Sequence, residues 1–302
     1  MIRVITDSTA SISPKLAEKL GIQVVTLFVN RDGVEYCDAT MDMDSFYADI
    51  YDMQDNIPTS SQPSQQDLEA IFEDAAVAGD EVLGLFMSSG LSGTYEGALR
   101  AARSVAARNP DFTYSMIDTL SCGFDEGWPV VAGAVARNAG KSLRECANAV
   151  VESVKSTRFL FAPESLTFLQ KGGRIGRAAA LLGNLVKLIP VLTVTDGTVA
   201  TRAKIRTQKK ALDKILAFMK DDFDKNGLRN VIVHYIGDKS LACAWAKEKV
   251  EPLVGHAVDV VPVSPVVGLH VGPAVGVAYE CAHALVGKID CLPPTVVSSV
   301  GQ

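Results

Sequence analysis

The 302 residues carry 35 Asp and Glu against 29 Lys and Arg, a formal net charge of −6, which leaves no basic surplus for nucleic acid or for more than transient membrane contact. A chain of this length buries a large core and fits one large domain or two ordinary ones, of which two are expected here. Six scattered cysteines without a C-x-x-C pair read as reduced thiols, and residues 1–7 run straight into a strand pattern with no leader, so a cytoplasmic protein is expected.

Residues 3–5 predict a first strand, left by the polar loop Thr6-Asp7-Ser8-Thr9-Ala10. Ser13 is placed to cap a helix with Pro14 in its first position, and Gly21 to end it. Residues 22–29 read as one second strand before a turn at Asn30-Arg31-Asp32-Gly33, and residues 44–51 as a short helix. In Pro58-Thr59-Ser60-Ser61-Gln62-Pro63-Ser64, two prolines impose an extended conformation on a hydroxyl-rich segment; Ser64 with Asp67 then caps a helix over 65–76. The apolar run 81–87 predicts a strand buried on both faces, and apolar positions from Tyr95 to Ala106 recur at helical spacing. Between them, Ser88-Ser89-Gly90-Leu91-Ser92-Gly93-Thr94 is a strand-to-helix turn. Its glycines permit close backbone approach to a ligand, and the free amides of the helix start favour an anion. A strand over 113–117 ends in Asp118-Thr119-Leu120-Ser121-Cys122-Gly123; helices are expected over 129–138 and 143–156, the second capped by Ser142 with Glu145. This alternation predicts a parallel sheet covered on both faces, its four polar loops gathered at one edge, where ligands collect.

Past residue 159 the texture changes. Lys171-Gly172-Gly173-Arg174-Ile175-Gly176-Arg177 is basic and broken by glycine, and 178–188 reads as a helix apolar nearly all round, either buried or lining a greasy cavity. A hairpin over 189–205 turns at Asp196-Gly197, and Lys204, Arg206, Lys209 and Lys210 cluster at the start of a helix over 209–219. Residues 231–263 complete a second α/β unit. Gly268-Leu269-His270-Val271-Gly272-Pro273-Ala274-Val275-Gly276 reads as a tight loop leading into an Ala- and Val-rich helix that carries His283. The apolar stretch 261–285 is interrupted by Pro265, His270, Pro273, Glu280 and His283, which argues against a membrane span.

On the residues alone, the 88–94 loop is either a plain capped turn or an anion cradle. It lacks the Lys of a P-loop and the G-x-G-x-x-G spacing, so a phosphate- or nucleotide-binding regulator is left without a fingerprint. Ser92 and His270 are the residue types of a serine-dependent acyl hydrolase, yet Ser89 fails the nucleophile elbow and no acid is singled out to orient the imidazole.

Six stretches taken together, the loops at 6–10, 60–64, 88–94 and 117–119 with Lys171-Gly172-Gly173-Arg174-Ile175-Gly176 and Gly268-Leu269-His270-Val271-Gly272-Pro273, resemble the DegV family in content and order over residues 2–286. That family comprises bacterial fatty-acid-binding proteins, including the FakB type. The resemblance implies an α/β protein of two domains: an N-terminal α/β/α domain with a parallel sheet (1–158), a smaller C-terminal α/β domain lining an acyl tunnel (159–288), and a tail (289–302). It implies a long-chain fatty acid as ligand, no cofactor or metal, and no catalysis by the chain alone. Its carboxylate would be held by Ser60, Ser61, Ser92, Gly93, Arg174 and His270 and presented to a separate kinase resembling dihydroxyacetone kinase. The resulting acyl phosphate would feed exogenous fatty acid into phospholipid synthesis, with Arg206 and Lys209 matching a region implied in kinase docking. Ser60 stands where the family usually has Thr and lacks the methyl that stiffens the rotamer. Cys122, Ala274 and Thr26 also depart from common choices, with consequences for chain-length preference.

Overall fold

The computed structural model describes residues 1–182, 188–289 and 293–298. The chain opens with β1 (Ile2–Asp7), α1 (Pro14–Leu20) and β2 (Ile22–Val25), and α1 is bounded as its residues dictate. The Ser13 hydroxyl accepts from the Leu16 amide, Pro14 opens the helix, and Gly21 closes it at φ 60°. The expected single strand over 22–29 is two. At Thr26 the chain leaves the sheet, because the Leu27 amide is taken by Ser8 Oγ at 3.0 Å and the Leu27 carbonyl by the Asp38 amide at 2.9 Å. It then builds a small antiparallel sheet from β3 (Phe28–Arg31), β4 (Val34–Cys37) and β5 (Thr59–Ser61), with α2 (Met43–Ala48) between the last two. This insert is bound to the second half of the molecule by Tyr47 Oη, which donates to the Val263 carbonyl at 2.6 Å, and by Asp44, which accepts from Tyr235.

The main sheet resumes through α3 (Gln65–Val77), β6 (Glu81–Phe86), α4 (Thr94–Arg108), β7 (Tyr114–Asp118), α5 (Phe124–Asn138) and α6 (Leu143–Ser156). Strands β1, β2, β6 and β7 run parallel, with β1 paired to both β2 and β6. Apolar faces of α3 and α4 cover one side and those of α1, α5 and α6 the other, so the expected α/β/α layering is present. Helix α5 begins five residues before Pro129, its expected start. The carbonyl of Asp125, left without an amide partner by that proline, accepts instead from Thr157 Oγ1 at 3.4 Å.

The second half contains β8 (Thr157–Pro163), α7 (Thr167–Lys171), β9 (Ile189–Thr195), β10 (Thr198–Ile205), α8 (Gln208–Asn226) and β11 (Leu228–Ile236). It continues with α9 (Lys239–Trp245), α10 (Glu251–Val254), β12 (Val260–Pro262), α11 (Pro265–Val271) and β13 (Ala274–Cys281). Its sheet is mixed, in the order β10-β9-β8-β13-β11-β12. The β9–β10 hairpin turns on Asp196 and Gly197, both at positive φ, the signature of a two-residue turn matched to strand twist.

Two expectations fail here. The apolar helix over 178–188 is absent from the described part of that range: Gly176–Leu181 is a 3₁₀ turn, Leu182 is extended, and residues 183–187 lie outside the described residues. The Ala- and Val-rich segment is the central strand β13, not a helix. All eight of its residues are buried, and a run whose one charged residue is Glu280, flanked on both sides by strands, has no solvent face to give it helical periodicity. Consequently His283 sits on an exposed turn beyond β13.

Residues 288 and 293–298 lie back against the first half of the molecule. Lys288 is buried in an ion pair with Asp125, and β14 (Thr295–Ser298) pairs antiparallel with β7 as an edge strand.

Candidate functional site

Three of the polar loops leave β1, β6 and β7 at one sheet edge. The fourth, at 59–64, arrives by another route, carried on β5 of the insert. Buried carboxylates anchor these loops from beneath: Asp7 accepts from the Met87 amide at 2.9 Å and Asp118 from the Ser89 amide at 3.2 Å. Burial raises both acids, Asp7 to about 6. The hairpin of the second sheet closes over the loop, Ser88 Oγ donating to the Gly197 carbonyl at 2.7 Å. A side chain at Gly90 would meet that same carbonyl at 2.5 Å, so the loop's glycine serves the packing of the two halves.

Ser92 ends this loop. Its Oγ accepts from the Thr94 amide at 3.3 Å and lies 2.9 Å from Thr94 Oγ1, a hydroxyl pair in which either oxygen can donate. Arg174 reaches across from the second half and donates through Nε to the Leu91 carbonyl at 3.2 Å and through Nη1 to the Gly172 carbonyl at 2.6 Å.

His270 lies on α11 rather than in the expected tight loop. Pro265 starts this short helix and Gly272, at φ 73°, ends it. A distant residue caps it: buried Asp38 accepts from Ser264 Oγ at 2.8 Å and from the Val266 amide at 2.9 Å. Nothing in the sequence around Asp38 signals that role, which exists only because the insert packs on α11. His270 Nε2 is 2.9 Å from Ser60 Oγ, while its Nδ1 is buried without a hydrogen-bond partner among the described residues. An orphaned lone pair is less costly than an orphaned N–H, so the proton is assigned to Nε2, which donates to Ser60 and frees the Ser60 hydroxyl to donate onward. Burial, reinforced by the charge of Arg174, pushes His270 down to about 4, so at neutral pH it acts as a neutral donor.

These residues surround one cavity of about 320 Å³, within the range of small-molecule sites. Its polar end collects Ser60, Ser61, Ser92, Gly93, Arg174 and His270, together with Gln62. The walls from the first half are Leu27, Met87 and Cys122. From the second come Phe159 and Phe161, whose rings are 4.9 Å apart, with Leu169, Val194, Val199 and a row of valines on α11. Among the described residues the walls come mainly from strands and α11; of the range 178–188 expected to supply them, 178–182 do not line the cavity and 183–187 lie outside the described residues. Gln62 was visible within the 58–64 motif, while the aromatic wall carried no signal distinguishing it from ordinary core. Arg206 and Lys209 are exposed at the junction of β10 and α8 and do not line the cavity.

The arrangement suits a weak-acid head group on an apolar body: hydroxyl and imidazole donors at one end, hydrocarbon walls beyond. It does not complete a hydrolytic triad. His270 pairs with Ser60 rather than Ser92, and among the described residues no carboxylate reaches Nδ1 to orient it. No group of His, Cys, Asp and Glu able to hold a metal, and no helix long and apolar enough to cross a membrane, occurs among the described residues.

Two α/β units enclosing a shared apolar cavity with a polar mouth define the architectural class. The family model described as "Uncharacterised protein, DegV family" matches residues 1–281, and the chain belongs to the DegV family. A DegV domain-containing protein of Clostridium acetobutylicum is 39% identical over 284 residues, covering 92% of this chain and 97% of its own. Among solved structures, DegV from Bacillus subtilis, a fatty acid binding protein, superposes with a TM-score of 0.83 at 28% identity over 93% of this chain and 99% of its own. A DegV family protein from Thermus thermophilus described for fatty acid binding gives 0.81 at 29% identity, covering 92% and 99%. A stearic acid-binding protein from Eubacterium ventriosum gives 0.83 at 26%, covering 93% and 99%.

Proposed function

We propose that this protein is a FakB-type member of its family: it holds one long-chain fatty acid in the cavity and presents the carboxylate to a separate kinase resembling dihydroxyacetone kinase. The observation that carries the reading is the make-up of the cavity, hydrocarbon-walled with its hydroxyls, imidazole and guanidinium at one end. Fatty acid binding by the Bacillus, Thermus and Eubacterium relatives supports it. In this assignment the units 1–158 and 159–288 grip the ligand between them, with 289–302 as a tail.

A fatty acid enters ionised at pH 7 and needs donors in exchange for lost water. Ser60, Ser92 and the relayed Nε2–H of His270 supply them, with Ser61 and Gly93 beside them and Arg174 providing charge. Such charge-assisted bonds contribute about 1.5–3 kcal/mol each. The tail contributes more: at about 0.8 kcal/mol per methylene, a 16-carbon chain gains on the order of 10 kcal/mol before ordering costs. In the partner's active site a carboxylate oxygen takes the terminal phosphoryl group of a nucleoside triphosphate, releasing the diphosphate and leaving an acyl phosphate. Arg206 and Lys209 belong to the docking surface in this reading, the setting is the cytoplasm, and the chain alone catalyses nothing.

Native mass spectrometry of the purified protein, before and after denaturation, tests the proposal. A retained mass matching a long-chain fatty acid is expected. A protein that carries no lipid, takes up none when offered it, and instead releases product from an activated ester in a serine-dependent burst would be a hydrolase, and the proposal would fail.

A further inference from the structure

The match to the DegV family model ends at residue 281, yet the residues just beyond it are built into both halves of the molecule. The Leu285 amide donates to the Lys155 carbonyl at 2.9 Å, and buried Arg158 donates through Nη2 to the Val286 carbonyl at 3.0 Å, so the chain clips the junction between α6 and β8. Leu285 packs into the core of the second half, and Ile289 packs against the first sheet's core under α5 and α6. Lys288, between them, closes a ring. Its ammonium pairs with Asp125, which also accepts from Ser121 Oγ. The Ser121 carbonyl accepts from the Ser88 amide at 2.8 Å, Ser88 Oγ donates to the Gly197 carbonyl at 2.7 Å, and the neighbouring Asp196 amide returns to the Lys288 carbonyl at 3.4 Å. Two loops of the first half and the hairpin of the second are thus joined through one residue of the C-terminal segment.

We propose that residues 285–288 are a strap that holds the two halves closed over the cavity, and that release of its Lys288 ring sets the rate at which the ligand is exchanged. The exchange part rests on the fatty-acid reading above, whereas the strap does not. Each side of the ring carries cavity wall. Met87 and Cys122 adjoin Ser88 and Ser121 in the first half, and Val194 and Val199 flank the Asp196-Gly197 turn in the second. Parting the ring therefore parts hydrocarbon walls that face one another across the ligand. The strap is anchored at both ends: it leaves β13, the central strand of the second sheet, and leads to β14, which pairs with β7, the strand whose loop carries Ser121. Opening must break an ion pair whose two side chains are at most 1% exposed, and a buried charge deprived of its partner is costly, so the closed state is favoured strongly.

Two measurements on the full chain test this. In the ligand-free protein, hydrogen exchange at the Ser88 amide reports opening of the ring with no lipid present. In the loaded protein, a stopped-flow chase of a fluorescent fatty acid with excess hexadecanoate gives the release rate. Because Lys288→Met alone strands Asp125, the working variant combines it with Asp125→Leu, which removes the ion pair and leaves no buried charge. Both rates should rise about tenfold in that variant. Ser88→Ala breaks the ring at the hairpin and should raise release by a similar factor; adding it to the first variant should change little more, since a ring opened once is open. Val82→Ala, a core truncation at the end of β6 far from the loop, controls for stability: it should lower the thermal midpoint at least as far and leave release within about twofold. The proposal is overturned if the Lys288→Met, Asp125→Leu chain keeps wild-type exchange and release, if Val82→Ala speeds release as much, or if the Ser88 and Lys288 effects multiply. Wild type that binds no fatty acid would instead defeat the ligand reading, and exchange at Ser88 would still decide the strap.

Discussion

Gly172→Ala perturbs the imidazole by adding a single methyl group and removing no polar group. Gly172 has φ −74° and ψ −10°, a conformation alanine adopts freely, so the backbone does not oppose the change. By itself such a substitution stabilises a chain by about 0.4–1 kcal/mol through the unfolded state. The new Cβ, however, would lie 2.5 Å from His270 Nδ1 and 3.0 Å from the Phe168 carbonyl, against 3.4 Å for an ordinary contact; the carbonyl is held in backbone, so the ring must retreat by about 0.9 Å. The Nε2–Oγ bond to Ser60, now 2.9 Å, then exceeds hydrogen-bonding distance if the ring moves along that line. Loss of that bond costs about 0.5–1.5 kcal/mol, close to the backbone gain, and the thermal midpoint should hardly move. Binding has no such offset. A carboxylate deprived of one charge-assisted partner loses about 1.5–3 kcal/mol, or roughly 10- to 100-fold in affinity. Displacement of a fluorescent fatty acid measures the affinity, and the ¹⁵N shifts of His270 report the tautomer. Wild-type affinity together with unchanged imidazole shifts would refute the assigned relay from His270 through Ser60.

Ser92→Ala keeps the fold and removes one donor, so fatty acid affinity should fall about tenfold or more while the melting temperature stays within a few degrees, as read by the same displacement assay and a thermal scan. Burial holds both His234 and His270 near 4, against 6.5 for a free histidine. The unfolded chain therefore binds protons that the folded chain refuses: their stabilisation is full above pH 6.5 and is lost as pH falls toward 4, by up to about 3 kcal/mol each. Asp7, raised to about 6, works in the opposite direction over part of that window. Denaturant titrations at pH 7 and pH 4.5 should show a smaller acid loss in His270→Gln than in wild type; equal losses would mean that the imidazole is not buried neutral. Finally, Lys288→Met leaves Asp125 buried without its cation, which should cost about 3–5 kcal/mol, whereas pairing it with Asp125→Leu should recover much of that. If chemical denaturation shows the single variant as stable as wild type, the C-terminal segment is not latched as described.

The site is assembled from pieces that no local rule connects. Ser92 sits on a loop of the parallel sheet, Ser60 on the insert, and His270 on a helix of the second half whose cap, Asp38, comes from the insert again. Movement of the insert against the second half would therefore shift Ser60 and the α11 cap together, which couples the polar mouth to the packing of Tyr47 against Val263.

Local chemistry, readable in one dimension, settled the parallel sheet with its two covered faces, the caps at Ser13, Ser64 and Ser142 and the Asp196-Gly197 hairpin. Those features follow from hydrogen bonds and periodicities spanning only a few residues, which is why a single sequence reveals them. Tertiary structure alone decided that Ala274–Cys281 is a strand, since a fully buried apolar run has no periodicity to separate strand from helix. It likewise decided that the cavity walls are Phe159, Phe161 and the α11 valines, because a wall and a core share one composition. Last, it set the neutral state of His270, since burial and charge depend on what the rest of the chain brings alongside.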